Sequence, residues 1–318
     1  MNFFENQIDI NNLQYLKYLN EDLGISSQPQ VISFVGPGCS YKSWVAQHFL
    51  LAYKSGTPFL DQFPLIQVKN GTGKTAHLDL EQGSNRVAFR YSALCKGYGI
   101  DPVNLPQFSS SKELKLSDPN VQENFINSLK DIDVLVIDSF RKWTSGKDEA
   151  CSKEMQEALD VLNNVAAESK CIIIFIHHSS KKGYGDNAGR GSTVIYDDVS
   201  NSFNFTKLKD SVKFTQSKGR DQIKESKILT LKMICVSETE TRIDAELLIP
   251  SVKDSVSFKI INFISENPNS NISQIEQGLG VTRQTIAKEL KVLLKTNPTL
   301  IEKKSGNNKF YSITTNEF

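Results

Sequence analysis

The stretch Val31–Tyr53, VISFVGPGCSYKSWVAQHFLLAY, decides the fold. It opens as a short apolar strand, breaks at Gly36-Pro37-Gly38, passes a Lys42-Ser43 pair and continues as a helix. A strand that turns sharply into a helix aims backbone N–H groups and the positive helix end at one point, where an anion is held. In that layout Lys42 supplies a point charge to the β- and γ-phosphates of a nucleotide, and the Ser43 hydroxyl holds Mg²⁺. The expected ligands are therefore ATP and Mg²⁺. Their cradle runs through Gly36, Pro37, Gly38, Cys39, Ser40, Tyr41, Lys42, Ser43 and Trp44. Against the pattern G-x-x-x-x-G-K-[ST] one position departs: Tyr41 replaces a glycine, although a residue with a Cβ pays a conformational cost there.

A second loop, Gly71-Thr72-Gly73-Lys74-Thr75, imitates the end of the same pattern, but Val68 stands where its first glycine should be. Ala76–Leu80 after it reads as a strand, which leaves that lysine without a helix dipole. The second loop is read as a polar hairpin.

Further strands end in chemically useful groups. His77-Leu78-Asp79-Leu80-Glu81 alternates like a strand and ends in a carboxylate, well placed to orient or deprotonate an attacking water; a solvated residue or helix N-cap neighbour at a strand end has the same pattern. Asp133–Ser139, DVLVIDS, contains a run of four apolar residues, the mark of a parallel strand buried on both faces. It closes in Asp138, which matches the Walker B acid that holds Mg²⁺ in nucleotide hydrolases; an ordinary buried strand with a turn-starting Asp has the same pattern. Cys171–Ile176, CIIIFI, is another buried strand, followed by His177-His178. Successive strand residues point to opposite faces, so the pair is ill suited to one metal ion. His178 is preferred as a polar sensor of the γ-phosphate or the water.

Between these lie expected helices over Arg86–Cys95 and Cys151–Ser169, a loop with one short strand over 101–120, and a polar loop over 141–150. A helix over Asn11–Leu23 is expected from the spacing of Leu13, Leu16, Leu19 and Leu23. The glycine-rich segment 181–192 carries Lys181, Lys182 and Arg190; such basic loops contact nucleic-acid phosphates or form solvated turns. Lys218-Gly219-Arg220 is a basic turn before two strands, 228–236 and 239–249, expected as an antiparallel sheet edge.

Ser255–Phe318 reads as a separate small domain: three helices, the third starting near Val281, then two strands around Ser305-Gly306-Asn307-Asn308. This order resembles a winged helix-turn-helix, a module that reads DNA or binds proteins. In the DNA-reading case Arg283, Gln284 and Lys288 face bases, and Lys303, Lys304 and Lys309 face phosphates. From residue 251 onward nine basic residues stand against six acidic ones.

The 318-residue length suits a large α/β domain with a small appendage. A formal net charge of +1 makes any nucleic-acid surface local. Five scattered cysteines without a C-x-x-C pair argue against a disulfide framework or zinc site. No apolar run reaches the length of a membrane span, and no signal layout opens the chain, so a cytoplasmic protein without membrane contact is expected.

Taken together, GPGCSYKSW (36–44), DLEQ (79–82), FRYSAL (89–94), VLVIDS (134–139), HHSSK (177–181) and GRGST (189–193) resemble the RecA-like ATPases of the RepA-type hexameric replicative helicases of plasmids and phages. The resemblance spans roughly residues 25–250. It implies an α/β fold with a RecA-like P-loop core and a mostly parallel sheet, between an N-terminal helical segment (1–24) and a winged-helix domain (255–318). It further implies Lys42 and Ser43 for nucleotide and Mg²⁺, Glu81 as catalytic base, Asp138 as Walker B acid, His178 as sensor and Arg90 near the nucleotide. A homo-hexamer is implied, with single-stranded DNA through the ring and duplex DNA on the winged helix. Where the family carries an arginine after R-G-S, this chain reads Asp197-Asp198. The trans-acting finger then falls to Arg220, with Arg190 second. A motor fits this reading; an ATP-gated DNA-binding regulator or loader with slow turnover is the rival.

Overall fold

The computed structural model describes residues 17–67, 73–110, 118–149, 151–178, 194–221, 228–247, 256–296, 299–306 and 308–313. The chain divides into two compact units, Met1–Leu248 and Ile249–Phe318.

In the first unit the elements run β1 (Tyr18–Asn20), β2 (Ile25–Ser26), β3 (Gln30–Gly36), α1 (Lys42–Ser55), β4 (Thr75–Asp79), α2 (Ser84–Tyr98), β5 (Gln107–Ser110) and α3 (Pro119–Ser128). They continue with β6 (Val134–Asp138), α4 (Phe140–Trp143), α5 (Ser152–Ser169), β7 (Ile172–His178), α6 (Val194–Asp198), β8 (Asn201–Lys207), β9 (Val212–Gly219), β10 (Ile228–Ser237) and β11 (Glu240–Leu247). One nine-stranded sheet has the order β11-β10-β9-β8-β3-β7-β6-β4-β5. From β8 through β5 all pairs are parallel. From β8 outward to β11 they are antiparallel. This is a mixed α/β architecture with a mostly parallel centre, the layout of a RecA-like core.

The continuous apolar strands are explained by two covered faces. Val134 and Val136 join Ile172, Ile174 and Ile176 in one core, with Val45, Phe49 and Leu50 of α1. Leu135, Ile137, Ile173 and Phe175 enter a second core with Leu159, Leu162 and Val165 of α5. Alternate residues of one strand thus feed opposite layers, and none can be polar without facing a helix.

Residues 17–23 do not form the helix expected over Asn11–Leu23; residues 11–16 lie outside the described residues. Tyr18–Asn20 pairs antiparallel with Ile25–Ser26 instead. Asn20 starts the reversal, its Oδ1 accepting from Leu23 N at 2.9 Å and its Nδ2 donating to Pro64 O at 2.8 Å. Leu19 and Leu23 are buried as the helical spacing demanded, but through a strand and turn. The polar stretch expected over 141–150 opens with the last residues of α4, and α3 takes up the end of the expected 101–120 loop. Asp118 caps α3, accepting from Asn120 N.

The second unit contains α7 (Val256–Glu266), α8 (Ile272–Leu279), α9 (Arg283–Thr296) and a hairpin of β12 (Leu300–Ser305) and β13 (Asn308–Ile313). Its core joins Ile260, Ile264, Ile275, Ile286, Leu290, Leu300 and Tyr311. Asn271 and Gln274 form a reciprocal capping box at the start of α8, which ends on Gly280 with φ 63°. Among the described residues no helix is long and apolar enough to cross a membrane.

Candidate functional site: a cleft at the strand ends

The register of the parallel strands sets the site. Gly36 pairs with His178 across β3 and β7, and Asp79 pairs with Asp138 across β4 and β6. Four strands therefore deliver chemically useful groups to one carboxyl-end edge, where open α/β sheets bind ligands. A cavity of about 320 Å³ opens there. Lys42, Ser43, Glu81, Asp138 and His178 line it together with Cys39, Ser40, Tyr41, Trp44, Gln82 and Arg90. A larger cavity of about 750 Å³, bounded by α2 and Phe108, contains none of the expected site residues.

The loop after β3 takes the shape of an anion cradle. Tyr41 sits at the N-cap of α1 with φ 64°, and Cys39 has φ 56°. Tyr41 thus adopts the left-handed conformation a glycine would supply, and its ring packs against the core beside Trp44. Lys42, 4% exposed, donates to Gly36 O at 2.9 Å, to Pro37 O at 2.6 Å and to Ser40 Oγ at 3.2 Å. Burial pushes its ammonium down to about 8, while Asp138, Cys39 and Glu81 act the other way.

The acidic side is organised by Asp79. Its Oδ1 accepts from Gln82 N at 3.0 Å and Glu81 N at 3.3 Å, and its Oδ2 from Gly83 N at 2.6 Å. Three backbone donors on one carboxylate fix the turn that carries Glu81 and Gln82. Glu81 Oε2 accepts from Ser139 Oγ at 2.6 Å and lies 3.8 Å from His178 Nε2, an ion-pair distance. The His178 imidazole holds the Glu81 carboxyl down to about 2, with burial opposing and the Ser139 hydroxyl adding to the effect. Gln82 Nε2 donates to Asp138 Oδ2 at 2.8 Å and to Ser43 Oγ at 3.2 Å. Burial raises the Asp138 carboxyl, and a hydrogen bond from Ser43 opposes the rise. His177 and His178 point to opposite faces: His177 is buried edge-on against Phe140, and His178 lines the cleft.

Arg90 reaches the cleft from α2, its guanidinium 5.3 Å from the Trp44 ring centre. Arg90 Nη1 and Gln82 Oε1 are buried without a hydrogen-bond partner among the described residues. An orphaned donor such as Arg90 Nη1 beside a cleft is what a polar ligand would satisfy. The hard oxygen donors Ser43 Oγ and Asp138 Oδ2 suit Mg²⁺. The residues present therefore fit a magnesium nucleotide.

Arg220 does not line this cleft. Its Nη2 donates to the carbonyls of Asp197 at 3.1 Å and Asp198 at 3.4 Å, at the end of α6. Lys218 donates to Tyr196 O at 2.8 Å and to Asp197 O. Lys181, Lys182 and Arg190 lie outside the described residues. In the C-terminal unit Arg283, Gln284 and Lys288 are exposed, while Ile286 and Leu290 of the same helix are buried. Lys303, Lys304 and Lys309 are exposed on the hairpin, and Lys309 pairs with Glu302 at 3.1 Å.

Sequence reasoning missed the roles of Asp79, Gln82 and Ser139. A D-x-x-x-G spacing from Asp79 to Gly83 was the available signal for the turn. Nothing local marks Gln82 as the bridge between Ser43 and Asp138, because its partners lie 39 and 56 residues away.

A profile of the family described as AAA domain matches residues 12–184, which spans the loop, both acidic strands and His178. A search of curated proteins returned no match. Among solved structures, a KaiC-like protein from the hyperthermophilic archaeon Pyrococcus horikoshii OT3 aligns over 68% of this chain and 89% of its own, with 13% identity and a TM-score of 0.48.

Proposed function

Because the chain belongs to the AAA domain family, we propose that it is a Mg²⁺-dependent ATPase that works on DNA as a ring-forming, helicase-type motor of a mobile element. The observation that carries the reading is the convergence of Lys42, Ser43, Glu81, Asp138 and His178 on one cleft at the strand ends.

In this reading the amides from Gly36 to Ser43 and the Lys42 ammonium bind the phosphates, and the Trp44–Arg90 pair borders the nucleotide. Ser43 and Asp138 would hold Mg²⁺, which when bound neutralises phosphate charge. Glu81, ionised throughout the neutral range, orients the attacking water more than it strips a proton from it. This suits phosphoryl transfer, where positioning and charge stabilisation carry most of the catalysis. His178 holds the Glu81 carboxylate in place. Arg220 of a neighbouring copy serves as the arginine finger, and the C-terminal unit acts as a winged helix that docks duplex DNA through Arg283, Gln284 and Lys288.

The test is ATP turnover with and without single-stranded DNA, coupled to unwinding of a forked duplex. DNA-stimulated hydrolysis with unwinding supports the motor, and hydrolysis indifferent to DNA sinks it. One observation favours the rival regulator or loader: Arg220 is engaged by carbonyls of its own chain, and releasing it would slow turnover. Slow hydrolysis with tight ATP retention would favour that reading.

A further inference from the structure

Gln82 occupies an unusual place for an uncharged side chain. Its Nε2 lies 2.8 Å from Asp138 Oδ2 and 3.2 Å from Ser43 Oγ, between the two oxygen groups assigned above to the cation. We infer that Gln82 is a positioning residue whose amide stands in for the divalent cation and competes with Mg²⁺ for these two oxygens. The inference rests on the nucleotide-site reading and adds a regulated step to it.

Asp138 is buried, 2% exposed, with the Lys42 and Arg90 charges near it, and the Gln82 amide N–H group occupies its Oδ2, a weaker partner there than a divalent cation. The closed position leaves Gln82 Oε1 buried without a partner. An orphaned carbonyl-type oxygen disfavours the state that contains it, so the latch is held weakly and opens when a better partner for Asp138 arrives. The backbone of Gln82 is pinned by Asp79 through its own N–H and that of Gly83. Only the side chain has to swing. Glu81 stays on Ser139 while Gln82 leaves, so the metal site opens without disturbing the water-orienting carboxylate.

Calorimetric titration of the full chain with ADP, in excess Mg²⁺ and in EDTA, tests this for the wild type, Q82A and Q82E. Q82A removes the competitor. It should bind ADP in EDTA as the wild type does, and Mg·ADP about fivefold tighter, the factor equivalent to about 1 kcal/mol for one net hydrogen bond. Q82E keeps the volume of the side chain but sets a carboxylate against Asp138. It should bind ADP more weakly in EDTA and show a larger Mg²⁺ effect than Q82A. Equal or weaker Mg·ADP binding by Q82A, or a Q82E variant that follows the wild type in both buffers, overturns the proposal while ADP binding by the wild type leaves the site reading intact. A wild type that binds no ADP in either buffer removes both.

Discussion

Gly36 and Phe205 meet backbone to backbone: a Cβ built on Gly36 would stand 2.5 Å from the Phe205 carbonyl oxygen and 2.8 Å from its Cβ. The loop after β3 therefore leaves the sheet at a point where β3 and β8 press together and only a hydrogen fits. G36A should destabilise the first unit by about 2 kcal/mol, lowering Tm by roughly 4–8 °C. G38A should be neutral, because nothing lies within 4 Å of a Cβ there. Thermal melts of both variants check the contrast, and equal effects would remove the argument.

Tyr41 pays for its left-handed backbone with about 1 kcal/mol of strain. The loop holds its cradle shape with the tyrosine present, so the residue is a tolerated substitute for glycine. Y41G should bind ADP within about threefold of the wild type, because Tyr41 already holds the left-handed backbone that glycine would supply. A gain above tenfold would mean that the ring obstructs the site.

Two buried histidines set an acid limit on stability. Burial pushes His48 down to about 3 and His77 down to about 4. His48 Nδ1 and Nε2 have no hydrogen-bond partner among the described residues, and its ring stacks on Tyr98 at 3.9 Å. Because the folded values lie below the unfolded one, the unfolded chain takes up protons first, and stability falls as pH drops below about 6.5. Between pH 7 and 5 each histidine should cost about 2 kcal/mol. Urea titrations should show H48F losing about half as much over this interval as the wild type loses from the pair. An identical pH slope in H48F would contradict the assignment.

The finger is testable by mixing. E81Q and R220A should each hydrolyse ATP at least a hundredfold more slowly than the wild type while still binding it. If Arg220 acts on a neighbour, an equal mixture of the two inactive variants regains activity. Interfaces that pair an intact Glu81 with an intact Arg220 then form, about a quarter of the total in random assembly of such rings. A mixture as inactive as its parts would contradict action of Arg220 on a neighbour's site.

Much of this site is written in local sequence. β3, β6 and β7 show themselves as apolar runs because helices cover both sheet faces; Glu81, Asp138 and His178 lie at or just beyond strand ends, and Lys42 opens α1 after the loop from β3. What escapes a linear reading depends on tertiary partners. The Leu19 and Leu23 spacing mimics a helix, yet Asn20 turns the chain by bonding to Leu23 and to Pro64, 44 residues away. Gln82 is an ordinary polar residue until the sheet brings Ser43 and Asp138 to either side of it. Asp79 reads as one more strand residue until three amides converge on its carboxylate.

The central claim is that the loop from Gly36 to Ser43 holds a magnesium nucleotide. Calorimetric titration of Mg·ATP into the E81Q chain, with and without an added K42A substitution, measures it most directly. One nucleotide should bind per chain to E81Q, and K42A should weaken binding at least tenfold with the fold intact by circular dichroism. Equal affinity in the two proteins, or no binding by folded E81Q, would contradict the account.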